Sequence, residues 1–305
     1  MIIKRENKNG IDIMYVRADK TDDEMEKVKN KLLKRSSITD IIKNDADVYT
    51  EDNRLLLKFR KNKLNKKKID EFYDNVIDFA KKSYTTNRGS ASGSSKKNVS
   101  DNPKVFSNVI GYIDNFSPKQ KFLLKQQNKT VKYNVRECRF NVDYPEKYKK
   151  LMPLVQEIDD NYKELIPENY KKQLKKANET YFRIPKTSFT TITTNVNFQT
   201  SVHKDKGDDE DGFGNLSVIE NGKYNGAETC FPQYGIGVDV RNGDILFMDV
   251  HEWHGNLPMV YKSKDAIRLS IVCYLRYKVW KNTLNVTKKQ MIKHNKTIKS
   301  IKNVL

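Results

Sequence analysis

Apolar residues recur along this chain with two different periods, and the change falls near Thr187. Before that point the regular stretches are helical. Asp22–Arg35 reads as a helix whose early acids and late bases suit the helix dipole. Ile69–Lys82 reads as another, and Leu151, Leu154, Val155, Ile158 and Tyr162 recur at helical spacing. Pro153 falls inside that last pattern, so the helix either starts there or is kinked. After Thr187 the period becomes 2. Ser188–Val202, Gly214–Asn221, Glu228–Val240, Gly243–Val250 and Ala266–Trp280 are β-branched or aromatic runs bounded by Gly, Asn and Asp. The intervening stretches are too short for repeated βαβ crossovers. The pattern therefore predicts an α+β chain with an antiparallel barrel or double-sheet jelly roll, and helices from Met1–Asn178 packed outside it.

Three regions follow: an N-terminal accessory region over 1–84, a main domain over 85–285 with its β core at about 187–280, and a tail over 286–305. Arg54–Lys68 carries eight Lys or Arg and no acid. Such a run serves phosphate contact or nuclear import, or is simply a solvated helix face. Thr85–Lys104 is rich in Gly, Ser and Asn and reads as a linker or mobile loop. The tail Lys288–Leu305 also lacks acids and is expected outside the barrel.

Composition narrows the class. Of 305 residues, 58 are Lys or Arg and 39 are Asp or Glu, giving +19, a balance that favours polyanionic partners unless it only reflects Lys as a common polar residue. With 37% hydrophobic residues the chain has enough apolar material to fold. The sequence contains no 18-residue apolar run and no secretory leader pattern in Met1–Lys20, so a membrane span and secretion are disfavoured. Cys138, Cys230 and Cys273 form no CxxC pair, which argues against a disulfide framework or thiolate zinc site and for a reducing compartment.

Candidate chemistry lies in the β half. In an extended chain residues i and i+2 share a face, so His203 and Asp205 stand side by side. A third ligand from the end of Gly243–Pro258, His251 or His254, would complete a 2-His-1-carboxylate set, the facial triad of non-haem Fe(II) oxygenases. His254 is followed 14 residues later by Arg268, which shares a strand face with Ser270. An arginine beginning so apolar a strand calls for an anion, and guanidinium grips a carboxylate bidentately. The plainer reading is an edge salt bridge for Arg268 and a satisfied strand histidine at His203.

The segments His203–Asp205, Asn225–Val250, His254–Pro258 and Arg268–Ser270 resemble the double-stranded β-helix of Fe(II)- and 2-oxoglutarate-dependent dioxygenases. Within these the chain most resembles the TET/base J-binding protein (thymine hydroxylase) branch, on Asn87–Gly93, Tyr144–Asp159, His203–Asp208 and Phe213–Val218. The resemblance covers about Asn87–Tyr277. It implies a jelly-roll, cupin-like core, with iron on His203, Asp205 and His254 and with 2-oxoglutarate gripped by Arg268 and Ser270. O2 is the implied cosubstrate. His254 is preferred to His251 because the family's distal histidine is followed by Pro four residues on, here Pro258. The implied activity is hydroxylation of the C5 methyl group of a pyrimidine base, thymine or 5-methylcytosine, in nucleic acid, DNA more than RNA. A prolyl or other side-chain hydroxylase using the same site is the alternative. An intracellular, non-secreted setting follows from the cysteine usage and the missing leader pattern, and the import-like basic run admits the nucleus.

Three departures bear on substrate. Where family members that oxidise 5-methylcytosine carry an Asn after HxD, this sequence has Asp208. No module resembling a J-base recognition domain and no cysteine-rich zinc region is present in the sequence. The loop Lys206–Gly214 is acidic and expected to be flexible beside the metal, where it would repel nucleic acid unless its acids are paired.

Overall fold

The computed structural model describes residues 1–82, 90–93 and 105–302. Apart from 90–93, the Thr85–Lys104 linker lies outside the described residues, as does the end of the tail. In chain order the elements are β1 (Ile2–Lys8), β2 (Ile11–Val16), α1 (Asp22–Val28), β3 (Asp40–Ile42), β4 (Ala46–Thr50), β5 (Leu55–Arg60), α2 (Lys66–Lys82), β6 (Phe106–Ile113), α3 (Pro118–Gln126), β7 (Arg136–Glu137), α4 (Arg139–Asp143), α5 (Pro145–Leu165) and α6 (Pro167–Asn178). The β half follows with β8 (Thr191–Val196), β9 (Gly214–Asn221), β10 (Tyr224–Gly226), β11 (Thr229–Phe231), β12 (Ile236–Val238), β13 (Ile245–Met248), β14 (Gly255–Asn256), β15 (Met259–Tyr261) and β16 (Ile267–Tyr274), and the chain closes with α7 (Tyr277–Lys281) and α8 (Lys288–Lys302).

The chain forms two compact units. The first comprises Met1–Asn108, Thr193–Lys206 and Phe213–Val272. Its larger sheet runs β1-β2-β4-β5-β13-β9-β16-β8 and its smaller one β14-β11-β12-β3. Between them lies a core to which β2, β4, β5, β9 and β13 contribute Met14, Val48, Phe59, Val218 and Leu246, and the smaller sheet Ile42, Phe231, Ile236 and Val238. This is the jelly roll that the alternating pattern predicts. The antiparallel expectation holds for β5-β13-β9 and β14-β11-β12, whereas β2 with β4 and β3 with β12 are parallel.

Residues expected as an N-terminal accessory region thus lie in the sheets themselves. The first helix also stops early. Thr21 caps it through a reciprocal box with Glu24, but the chain turns at Asn30 (φ 62°) and carries Leu33 into an apolar cluster with Met25, Val202, Trp253 and Leu257. Burial of Leu33 outweighs propagation of a helix that would leave it in solvent. Leu55–Arg60 is a strand, not part of a basic helix: Leu56, Leu57 and Phe59 are buried, and the charged run is divided by the turn before α2.

The second unit comprises Val109–Ile192, Gly207–Gly212 and Cys273–Leu305. Here α5 continues through Pro153 over 21 residues, and its buried stripe is the Leu151, Leu154, Val155, Ile158 and Tyr162 set that the periodicity marks. Asp159 on that helix is 3% exposed. Its carboxylate accepts from Ser188 N at 2.8 Å, Ser188 Oγ at 2.6 Å and Tyr170 Oη at 3.0 Å, which ties α5 and α6 to the chain entering β8. The basic tail forms α8, also in this unit. All three cysteines are free and buried, packed as small apolar groups.

Candidate metal centre

The first unit builds a cluster of three ligand side chains. His203 and His254 face each other across an antiparallel bridge, each backbone N–H donating to the other's carbonyl at 2.9 Å. Asp205 N donates to Val250 O at 2.9 Å, which fixes the second half of the HxD turn against the same loop. Gly255 makes this approach feasible: a Cβ there would stand 3.1 Å from Ser201 O and 3.2 Å from Thr200 O. The imidazole centroids are 4.3 Å apart.

Both rings present the same nitrogen inward. His203 Nδ1 lies 2.7 Å from Ser201 O and His254 Nδ1 lies 2.9 Å from Glu252 O. A carbonyl can only accept, so each Nδ1 carries the proton and each Nε2 keeps its lone pair. His203 Nε2 is 3.6 Å from Asp205 Oδ1, and His254 Nε2 is 3.7 Å from Asp205 Oδ2. Ligand atoms of the three residues all lie within 4.8 Å of one another, and His251 is not part of the cluster. Donors bound about 2.1 Å from one ion sit roughly 3 to 4 Å apart, so these spacings fit a metal. Burial, with the neighbouring His203 adding to it, pushes the His254 imidazole down to about 4. It is therefore a neutral ligand at neutral pH. The Asp205 side chain is 38% exposed, leaving one side of the cluster open.

Arg268 and Ser270 stand on one face of β16. Val272, two residues on, packs against the core between the sheets, so by the period of 2 this face looks into the jelly roll. Arg268 is 4% exposed, and its Nε and Nη2 have no hydrogen-bond partner. Burial lowers its pKa, opposed by nearby Tyr224 and Glu220. An orphaned guanidinium is expensive, and a bound carboxylate would satisfy it. Ser270 Oγ accepts from Asn195 Nδ2 at 3.4 Å, leaving its own proton to donate. Asn197 pins the arginine backbone, accepting from Arg268 N at 2.7 Å.

Sequence reasoning missed the residues that brace the ligand loops. Asp22 at the start of α1 accepts from Trp253 Nε1 at 2.8 Å and pairs with Lys204 Nζ at 3.3 Å, so it holds the neighbours of both histidines. Those hydrogen bonds, Trp253 first, hold its carboxyl below the usual range. Arg54 pairs with Asp249 at 2.6 Å and Glu252 at 2.7 Å. Part of the run read as a phosphate-binding or solvated patch is therefore structural, since Lys58 and Arg60 also pair with Asp47.

The acidic loop is corrected as well. In the second unit Asp209 is 1% exposed and pairs with Lys176 at 2.5 Å, while Asp211 pairs with Lys176 at 2.8 Å and Lys172 at 3.2 Å. Asp209 N donates to Leu275 O, and Asp208 bridges Arg276 through the backbone. Asp209 and Asp211 are paired and the loop is anchored at Asp208 and Asp209, where a flexible segment was expected.

Comparison with known proteins adds four findings. The profile of the Tet_JBP family, described as the oxygenase domain of the 2OGFeDO superfamily, matches residues 122–277, just over half of the chain. The chain is 39% identical over 124 residues to the bifunctional helicase and thymine dioxygenase JBP2 of Leishmania tarentolae, covering 41% of this chain and 11% of that protein. It is 28% identical over 172 residues to the thymine dioxygenase JBP1 of Trypanosoma brucei brucei, covering 56% and 19%. The chain thus spans less than a fifth of either relative. NgTET1 in complex with 5mC DNA shares the fold, with a TM-score of 0.57 and 14% identity over 96% of this chain and 91% of that one.

Proposed function

This chain belongs to the Tet_JBP family of oxygenase domains, and from that premise we propose that it is an Fe(II)- and 2-oxoglutarate-dependent dioxygenase that hydroxylates the C5 methyl group of a pyrimidine base in DNA, thymine in preference to 5-methylcytosine. The observation that carries the reading is the His203, Asp205, His254 cluster with both Nε2 lone pairs directed inward. In this reading those three side chains hold iron on three positions and leave the others to cosubstrate. Ferrous iron with 2-oxoglutarate and O2, when bound there, supplies oxidation of a substrate C–H bond coupled to decarboxylation of the keto acid.

The chain's own residues do the rest. Arg268 receives the distal carboxylate of 2-oxoglutarate on its unpartnered Nε and Nη2, and Ser270 donates to the same carboxylate. The open side at Asp205 admits the substrate carbon. A base stacked in a duplex cannot reach it, so the target is flipped out or taken from a single strand. The names of the two relatives support thymine, as does Asp208 at the position where 5-methylcytosine oxygenases carry Asn. An intracellular, non-secreted setting belongs to the same proposal; among the described residues no helix is long and apolar enough to cross a membrane. An unpaired acidic loop beside the metal would suit a side-chain hydroxylase better than a DNA enzyme, and the pairing of Asp209 and Asp211 with Lys176 weighs against that alternative.

The test is mass spectrometry of nucleosides after incubating unmodified and 5-methylcytosine DNA with the protein, Fe(II), 2-oxoglutarate and air. Thymidine gaining one oxygen atom is expected. Oxidation of 5-methylcytidine alone would change the base, and succinate formed with a peptide but no nucleoside product would refute the DNA reading.

A further inference from the structure

Two runs of chain in the second unit carry cations and no acid. Residues 115–136 hold six Lys or Arg, and residues 284–302 hold six Lys. They pack on each other: Phe116, Leu124, Ile298 and Ile301 share one apolar cluster, Lys129 Nζ donates to Ser300 Oγ at 2.9 Å, and His294 Nε2 meets Val135 O at 2.6 Å. Massing like charge in this way is unfavourable unless an anion approaches. Glu137, just beyond the first run, already pairs with Lys299 at 3.1 Å. Lys289, Lys293 and Lys296 recur at i, i+4 and i+7, all exposed, opposite the buried His294, Ile298 and Ile301. None of the three has an ion-pair partner among the described residues.

Between α8 and residues 130–133 runs a cleft of about 250 Å³. Its walls present Lys132, Lys293, Thr130, Thr297, Gln290 and Tyr133, and no carboxylate. Gln290 Oε1 is occupied by Thr287 N at 2.8 Å and Thr287 Oγ1 at 3.0 Å, which leaves its amide N–H groups free to donate. The Tyr133 ring is held edge-on by Phe182 and His294. Ammonium groups, hydroxyls and an amide donor around a narrow cleft match phosphate oxygens, and a fixed ring beside them suits a sugar or base.

We propose that this cleft is a binding site for the sugar-phosphate backbone of DNA, separate in sequence from the HxD and Arg268 segments. The choice of DNA rests on the function proposed above; binding itself does not require turnover. Lys132 and Lys293 make the ionic contacts, Thr130 and Gln290 donate to the same phosphates, and the Lys289 and Lys296 stripe extends the contact along the strand.

The experiment measures fluorescence anisotropy of a labelled DNA duplex, and of its single strand, against the full chain over a range of salt. Compared are wild type, Lys132→Glu/Lys293→Glu, the milder Lys132→Gln/Lys293→Gln, and a control pair, Lys66→Glu/Lys67→Glu, at the exposed start of α2. Thermal melting checks each fold. Both groove pairs should weaken binding, the Glu pair by about tenfold or more, and flatten the slope of log K against log salt by about two, with the control near wild type. No DNA binding by wild type, groove variants that bind as wild type does, or a loss confined to the control pair would each overturn the proposal. Nucleoside oxidation is scored separately: a groove that binds DNA in a protein yielding no oxidised nucleoside refutes the function and leaves the groove standing, and the converse result refutes the groove alone.

Discussion

Asp205 and Asp209 lie four residues apart and meet opposite fates. Asp209 is buried against Lys176, with Asp211 sharing the same ammonium. Asp205 is partly exposed and stands between two imidazoles, one of them held neutral by burial. One acid has a cation built into the protein, so it closes a loop. The other has only lone pairs for company, an arrangement that is favourable when a metal ion joins it. The acidity of the stretch after His203 therefore reveals nothing by itself; what neutralises each carboxylate decides its role.

The comparison breaks most clearly on exchange of the two acids. Asp205→Ala or His254→Ala should abolish turnover and metal binding while leaving the melting temperature of the apoprotein near wild type, whereas His251→Ala retains metal. Metal content after gel filtration, read beside thermal melting, checks this. Lys176→Met should do the reverse, keeping metal while costing about 3 to 5 kcal/mol of stability, because Asp209 is left buried without its cation. Burial already raises the Asp209 carboxyl against the lowering effect of Lys176. Lys176→Met combined with Asp209→Leu should recover much of the loss in denaturant unfolding.

Acid should act on the ligand side through His254. Its folded pKa of about 4 lies below the unfolded value of about 6.5, so the unfolded chain binds more protons between them. Stability is then full above about pH 6.5 and falls as the pH drops towards 4, by up to about 3 kcal/mol. His254→Gln should flatten that part of the stability profile. The smallest effect is expected at Asp22: Asp22→Asn should cost about 1 kcal/mol and weaken metal binding less than about tenfold, since it braces Trp253 and Lys204 and not the ligands themselves.

Local sequence made the chemistry legible where the chemistry is local. The period of a strand was enough to put His203 and Asp205 together, although the structure holds them on an isolated bridge and the turn after it, and the Arg268, Ser270 pair in β16 follows that period outright. The α5 stripe was equally readable, since its burial repeats every turn. Long-range partnerships were not. Asp22 meets Trp253 across 231 positions, and Arg54 meets Asp249 across 195, so one looked like an early acid of a helix and the other like part of a charge run. β1 was hidden for a different reason: it is polar and mostly exposed, with no buried residue to mark its period. The acidic loop was misread because its cation, Lys176, lies 33 residues upstream of Asp209 and no local pattern pairs the two.

The central claim is that the His203, Asp205, His254 cluster and Arg268 form one site for Fe(II) and 2-oxoglutarate. Anaerobic titration of the protein with both should produce the weak visible charge-transfer band of the chelate, saturating at one equivalent of iron. Asp205→Ala should show no band, and Arg268→Ala should need tens- to thousands-fold more 2-oxoglutarate, the equivalent of about 2 to 5 kcal/mol. Absence of the band in metal-competent wild type, or an Arg268→Ala titration that overlays wild type, would contradict the account.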